Sequence, residues 1–191
     1  MFTPAATART LLYALTATAL AAAPAQASRG ADRCPHARTI PQTKTGVTQA
    51  ARATACLVNV ERTSRGVPAT RHNGDLTRAA KSHTRDMIRR SYFAHTSPAG
   101  SDLSDRIRRA GYGAPGDGWR AGENLGWGTG AKATPDALVD AWLDSPPHRR
   151  IMLSRTYKEL GVGVATGAPT AASALPGATY TLDFATLRPA R

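Results

Sequence analysis

Three segments hold the side chains that could do chemistry. They are Ser91-Tyr92-Phe93-Ala94-His95-Thr96-Ser97-Pro98-Ala99-Gly100, Gly122-Glu123-Asn124-Leu125, and Trp142-Leu143-Asp144-Ser145-Pro146-Pro147-His148. Among the histidines, His36 and His72 lie in polar surroundings, and His83 falls on the apolar stripe of a helix, where a hydrogen-bonded core histidine is expected. His95 and His148 fit no apolar period, and each adjoins a helix end and turn-forming residues, the usual setting for a displayed side chain. Of the glutamates, Glu61 is expected to face outward on the first helix and Glu159 to precede a strand. Glu123 follows a glycine-rich stretch and leads into an apolar one, so its carboxylate would be partly desolvated unless something basic met it. A histidine partner would satisfy it, raise the imidazole pKa and fix which ring nitrogen is free; backbone amides of the adjacent loop could satisfy it equally well. Two imidazoles and a carboxylate are also a common ligand set for Zn2+ or another divalent cation, although no H-E-x-x-H spacing joins them here. Ser145 reads first as a helix cap and only second as a nucleophile, because no Gly-x-Ser-x-Gly elbow surrounds it.

The elements that must position these residues follow from periodicity. Ala50, Ala53, Leu57 and Val60 recur at helical spacing, with Asn59 and Arg62 on the polar side, and Gly66 stops the run. Asn73 caps a second helix over about 75–90, whose stripe is Leu76, Ala79, Ala80, His83 and Met87, and which leads into the His95 segment. The Tyr92-Phe93 pair behind His95, like Trp142, is expected in the core, with Trp119 and Trp127 nearer the surface. Ser101 can cap a short helix through Ala110, with Leu103, Ile107 and Ala110 inward and Gly111 ending it. Residues 111–122 contain five glycines and Pro115 and read as a loop. Thr134-Pro135 and Ser145-Pro146-Pro147 are two successive helix starts, the second placing His148 in a first turn. Leu125 and Trp127, residues 160–165 and residues 179–186 read as strands, which together with the helices gives an α+β layered domain.

Arg9, the apolar run 11–23 and Ala25-Gln26-Ala27 have the make-up of a secretory signal peptide over residues 1–27, too short to span a bilayer. Residues 28–45 read as an arm or linker, and 46–191 as one domain. No other stretch is long and apolar enough to cross a membrane, so the exported chain is expected not to be membrane-spanning. Cys34 and Cys56 are the only cysteines. Export permits oxidation, and an even count permits a Cys34–Cys56 disulfide that pins the arm. The formal charge of +12 outside a cell favours an anionic cell-wall polymer or lipid head group as partner. The basic residues stand in pairs such as Arg89-Arg90 and Arg149-Arg150 without interleaved aromatics, so nucleic acid is not expected.

In order along the chain come Leu57-Val58-Asn59-x-x-Arg62, Gly66, Leu76-x-x-Ala79, His83-x-x-Asp86-Met87, Tyr92-Phe93-x-His95, Ser97-Pro98-x-Gly100, Asp105-Arg106, Gly111-Tyr112, Gly122-Glu123-Asn124, Trp142-x-x-Ser145-x-x-His148 and Gly161-Val162-Gly163. This succession, over roughly residues 50–186, resembles the CAP superfamily, also called SCP/TAPS. Its named members are cysteine-rich secretory proteins, antigen 5 and plant pathogenesis-related protein 1; the chain looks like the compact bacterial branch. The resemblance implies a three-layer α-β-α sandwich with a central antiparallel sheet, and a cleft holding His95, Glu123 and His148. Eukaryotic members carry a second acidic residue three positions after the tryptophan, where this chain has Ser145; Asp144 beside it points about 100° away on a helix. One fewer charge would then balance a cation, and the His-Glu-His set could hold zinc weakly through His95 and His148, with Glu123 assisting, or hydrogen-bond through water. The expected function is a secreted, monomeric, non-enzymatic binding module for lipid or cell-envelope ligands. The alternative is a divalent-metal-dependent hydrolase of peptide or glycan that uses the same cleft.

Overall fold

The computed structural model describes residues 30–170 and 174–188; the expected signal peptide lies outside them. The element order is α1 (Lys44–Thr63), β1 (Arg71–His72), α2 (Gly74–Arg89), α3 (Leu103–Arg109), β2 (Gly118–Thr129), a 3-10 turn (Gly130–Ala133), α4 (Pro135–Asp144), α5 (Pro146–Met152), β3 (Glu159–Thr166) and β4 (Gly177–Arg188). The strands form one sheet in the order β1-β3-β4-β2. β3, β4 and β2 are antiparallel as expected, while the two-residue β1 runs parallel to β3, so the sheet is mixed. β2 is the edge strand nearest the residues of interest, and it begins at Gly118, inside the stretch expected to be loop.

Two helical layers sandwich the sheet, and the side-chain alternation of β3 and β4 explains the division. Leu160, Val162 and Val164 of β3, with Tyr180, Leu182 and Phe184 of β4, join Leu57 and Val58 of α1, Leu138, Val139 and Trp142 of α4 and Met152 of α5 in the larger core. On the opposite face β3 presents Gly161 and Gly163. A Cβ at either would collide with the α2 backbone, at Leu76 or at Ala80, so these glycines let α2 lie directly on the sheet. There Leu76 and Ala79 of α2 pack with Ile107 of α3, Tyr112 and Ala185.

Several local expectations are corrected. The arm is not loose: Ala31, Cys34 and Ala37 are buried in the larger core, and the Cys34–Cys56 bridge is present. α1 starts at Lys44 because the Thr43 side chain accepts from Gly46 N, 3.0 Å away. Arg62 and Glu61 were expected on the polar side, yet both are buried. The Arg62 guanidinium donates to the carbonyls of Pro68, Met152, Ser154 and Tyr157 at 2.7–3.1 Å, and Glu61 pairs with Arg65. A buried cation is tolerated when its donors are filled in this way, and here it ties the end of α1 to the segment after it and to the last residue of α5 and the chain that follows. Asp102, not Ser101, caps α3 in a reciprocal capping box with Asp105. The Thr134 hydroxyl donates to Ala131 O and does not cap α4. Phe93 is 38% exposed and Tyr92 half-buried, so that pair is not core, whereas Trp142 is.

Candidate functional site

His95 sits on the irregular segment between α2 and α3, and both flanking helices hold it. His83 of α2, buried as expected, donates its Nε2 hydrogen to Ala94 O at 3.0 Å. Arg106 of α3 donates to His95 O at 2.9 Å and to Ser101 O at 3.1 Å. The backbone on each side of the imidazole is therefore fixed before its side chain makes any contact.

The ring then meets Glu123 of β2: His95 Nδ1 lies 2.7 Å from Glu123 Oε1, and Arg106 donates to Glu123 Oε2 at 2.6 Å. The Glu123 and Arg106 side chains are almost wholly buried, at 2% and 4% exposure, while that of His95 is 61% exposed. Burial by itself would raise the Glu123 pKa; the hydrogen bond from His95 and the adjacent Arg106 charge outweigh it, and the carboxyl is held below its ordinary value. An ionised acceptor on Nδ1 requires that nitrogen to carry the proton. In the tautomer this leaves for an uncharged ring, Nε2 is the nitrogen without a proton.

Directly across the ladder from Glu123 stands Asp183 of β4, fully buried, with neither carboxyl oxygen receiving a hydrogen bond from a protein donor. Burial raises its pKa well above the ordinary value, and the neighbouring Glu123 charge raises it further. Both effects favour the neutral acid, a form whose hydroxyl has a proton to donate toward Glu123. Behind the exposed imidazole thus lie one guanidinium and two carboxyls, of which Glu123 is held toward its ionised form and Asp183 toward its neutral one.

Asn124, the next residue of β2, points to the other face and donates to His148 O at 3.0 Å, holding the first turn of α5. Successive residues of the edge strand thus anchor the two histidine-bearing segments from opposite faces. Ser145 occupies the cap position of α5, but its hydroxyl meets His148 Nδ1 at 2.7 Å and makes no capping bond to the backbone. Burial lowers the His148 pKa, and the electrostatic influence of His95 lowers it further. Hydrogen bonds join His95 to Glu123, and none joins His148 to either. A hollow of about 300 Å³ is lined by His95, Glu123, Asp102, Leu103 and Ile151; His148 lies one turn before Ile151 and outside that lining.

A metal centre does not fit this donor set. Both Glu123 oxygens are occupied by His95 and Arg106, a guanidinium beside the carboxylate opposes a cation, and among the described residues no three His, Cys, Asp or Glu side chains converge as ligands. Sequence reading also missed Arg106 and Asp183. Arg106 was legible in part, because it falls three residues after Leu103 and beside Ile107 on the inward stripe of α3. Asp183 left a fainter signal, a charge between Leu182 and Phe184 in a strand buried on both faces.

The uncharacterized protein YkwD of Bacillus subtilis (strain 168) is 31% identical over 107 residues, 56% of this chain and 39% of that protein. The uncharacterized membrane protein YlbC of the same organism is 32% identical over 108 residues, 56% of this chain and 29% of that one. The chain thus spans less than half the length of these relatives. A crystal structure of an extracellular protein containing a SCP domain from Bacillus anthracis superposes with TM-score 0.57 at 26% identity, covering 75% of this chain and 44% of that one. An outer surface protein from Borrelia burgdorferi shares the fold, with TM-score 0.56 at 16% identity over 70% of this chain and 90% of its own. Among the described residues no helix is long and apolar enough to cross a membrane. The model of the CAP family, the cysteine-rich secretory protein family, matches residues 56–183, a stretch that contains His95, Arg106, Glu123, His148 and Asp183, and the chain belongs to that family.

Proposed function

We propose that this chain acts outside the cell as a non-enzymatic binding module, and that its hollow takes the polar end of an amphipathic envelope lipid. One observation carries the reading: Glu123 is fully engaged in holding His95 and Arg106, so the site offers a fixed imidazole whose own carboxylate partner is already taken. Leu103 and Ile151 supply apolar wall beside that ring, the mixture of surfaces a lipid ligand needs. A module outside the cell is supported by the Cys34–Cys56 disulfide and by the signal-like start of the sequence. The extracellular SCP-domain relative from Bacillus anthracis points the same way. The hydrolase alternative needed a metal-activated water, and the donor set does not support one.

Titration of the protein with dihexanoyl-phosphatidylglycerol as a dispersed monomer, followed by NMR, tests the reading. The His95 ring and Ile151 methyl resonances should shift, and His95→Ala should weaken the response about tenfold. No shift at either residue would overturn the lipid assignment. Release of fragments from purified cell wall, abolished by EDTA, would establish the hydrolase instead.

A further inference from the structure

We propose that the outer face of α2 carries a second binding site, separate from the His95 hollow: a basic track that takes an extended, phosphate-bearing polymer without bases. The sequence of α2 places Arg78, Lys81, Arg85 and Arg89 at spacings of three and four, a single stripe on the side away from the buried Leu76, Ala79, Ala80 and Met87. The stripe extends about 16 Å along the helix at 1.5 Å per residue. It does not stand on a convex surface. A cleft of about 710 Å³ runs between α2 and the Ser97–Ser101 turn, and two further grooves, of about 210 and 520 Å³, continue it. The first shares Arg78, Ser82, Arg106 and Arg109 with the cleft, and the second shares Lys81 and Arg85 and reaches Lys44, so the three form one continuous path.

Charge along this path is far from the average of the chain. Eight cations line the three grooves against one carboxylate, Asp86, whereas the whole sequence has 25 Lys and Arg against 13 Asp and Glu. Four of the eight are already committed: Arg106 to Glu123, Arg89 and Arg90 to Asp86, and Arg78 to Asp75. The other four, Lys44, Lys81, Arg85 and Arg109, have no carboxylate partner among the described residues, and they are distributed over all three grooves. Unneutralised cations in a concave path hold their mutual repulsion until an anion enters, and the concavity concentrates their potential.

Shape and lining decide the occupant. One compact anion would reach one or two of the four free cations, whereas a chain of anions reaches them in succession. Guanidinium forks suit phosphate oxygens in particular. The lining contains no Phe, Tyr or Trp on which bases could stack, which argues against a nucleic acid. A membrane surface would be met by a protruding face with apolar anchors; the exposed large apolar residues among the described ones, Phe93 and Leu175, line none of the three grooves.

The test uses the full exported chain and long-chain inorganic polyphosphate, with affinity measured across a range of salt. The triple variant Lys81→Gln/Arg85→Gln/Arg109→Gln should bind about tenfold more weakly at low salt. The slope of log affinity against log salt should fall by about 2, as for three lost phosphate contacts on a single strand. The comparison triple Arg52→Gln/Lys132→Gln/Lys158→Gln removes the same charge from exposed positions outside the track and should weaken binding less than about threefold. His95→Ala should leave polyphosphate binding unchanged, which separates this site from the hollow. Equal losses in the two triples would overturn the track in favour of diffuse surface charge. Competition by orthophosphate as effective, per charge, as the polymer would reduce it to a single-anion site. Retention on phosphatidylglycerol vesicles without polyphosphate binding would replace it with a membrane. Urea midpoints equal to that of the parent protein establish that each triple is folded.

Discussion

Glu123 keeps a negative charge where burial would otherwise remove it, and two donors on neighbouring elements are the cause. Removing one should be expensive, because a buried charge left half-paired costs more than the intact pair contributes. Arg106→Met should lower stability by about 3–5 kcal/mol at pH 7 in urea unfolding, and adding Glu123→Gln should restore much of the loss. Asp183 has the opposite linkage. A carboxyl whose folded pKa is raised contributes stability that is complete below its unfolded value, near 3.8, and lost as pH rises through the folded value. Glu123, with a lowered pKa, contributes above its unfolded value, near 4.5, and loses that contribution as pH falls. Asp183→Asn should therefore gain on the parent protein as pH rises, with a larger difference in urea midpoint at pH 9 than at pH 5. A difference that shrinks over that range would mean that Asp183 is ionised and paired in the native protein.

At the scale of elements, amphipathic periodicity revealed α1, α2, α4 and β4, because one apolar stripe per helix and one apolar face per strand suffice to define them. The same patterns brought His95 and Glu123 forward as unexplained polar residues beside turns. What periodicity concealed was charge serving as an interior tie. Arg62 read as solvent-facing on residue type, yet it sits at the end of α1 where the carbonyls of Met152, Ser154 and Tyr157, 90–95 residues on, converge with that of nearby Pro68. No local pattern can announce such convergence, and the same is true of Arg106, whose partner lies 17 residues on. The Arg62 fork provides a test of element docking. Lysine keeps the charge but is a compact ammonium, unable to span four carbonyls, and each stranded acceptor costs about 1–3 kcal/mol. Arg62→Lys should consequently lose about 3 kcal/mol or more in urea unfolding. Because two of those carbonyls follow α5, the His148 ring resonances should broaden or shift before those of His95.

For the molecule as a whole, the arm before α1 raises the question of whether a covalent tie or packing holds it. The Cys34–Cys56 bridge joins residues 22 apart, and closing a loop of that size is worth about 3 kcal/mol by restriction of the unfolded chain. Packing also contributes: Ala31 and Ala37 are buried in the larger core, Ala37 O accepts from Asp136 N at the start of α4 at 3.0 Å, and Arg38 lies 3.5 Å from Asp136. These contacts bury little area, since alanine has one methyl group to offer, and the ion pair is long and its Arg38 side chain 60% exposed, a setting in which such pairs contribute at most about 1 kcal/mol. The covalent term should dominate. The double variant Cys34→Ser/Cys56→Ser should then lose about 3 kcal/mol in urea unfolding. Hydrogen exchange should quicken in the arm and at the first turn of α4, while the amides of α2, Glu123 and β4 keep their protection. The hollow is built on elements beyond the arm's reach, whereas the far end of the basic track is lined by Gln42, Thr43 and Lys44 where the arm ends, so it is the His95 and Ile151 shifts on lipid titration that should match in the reduced and oxidised protein at temperatures where both are folded. A stability equal to that of the parent protein would show that packing alone holds the arm. Loss of protection reaching β2 and β4 would show that the bridge supports the whole sandwich, including the histidine-bearing edge.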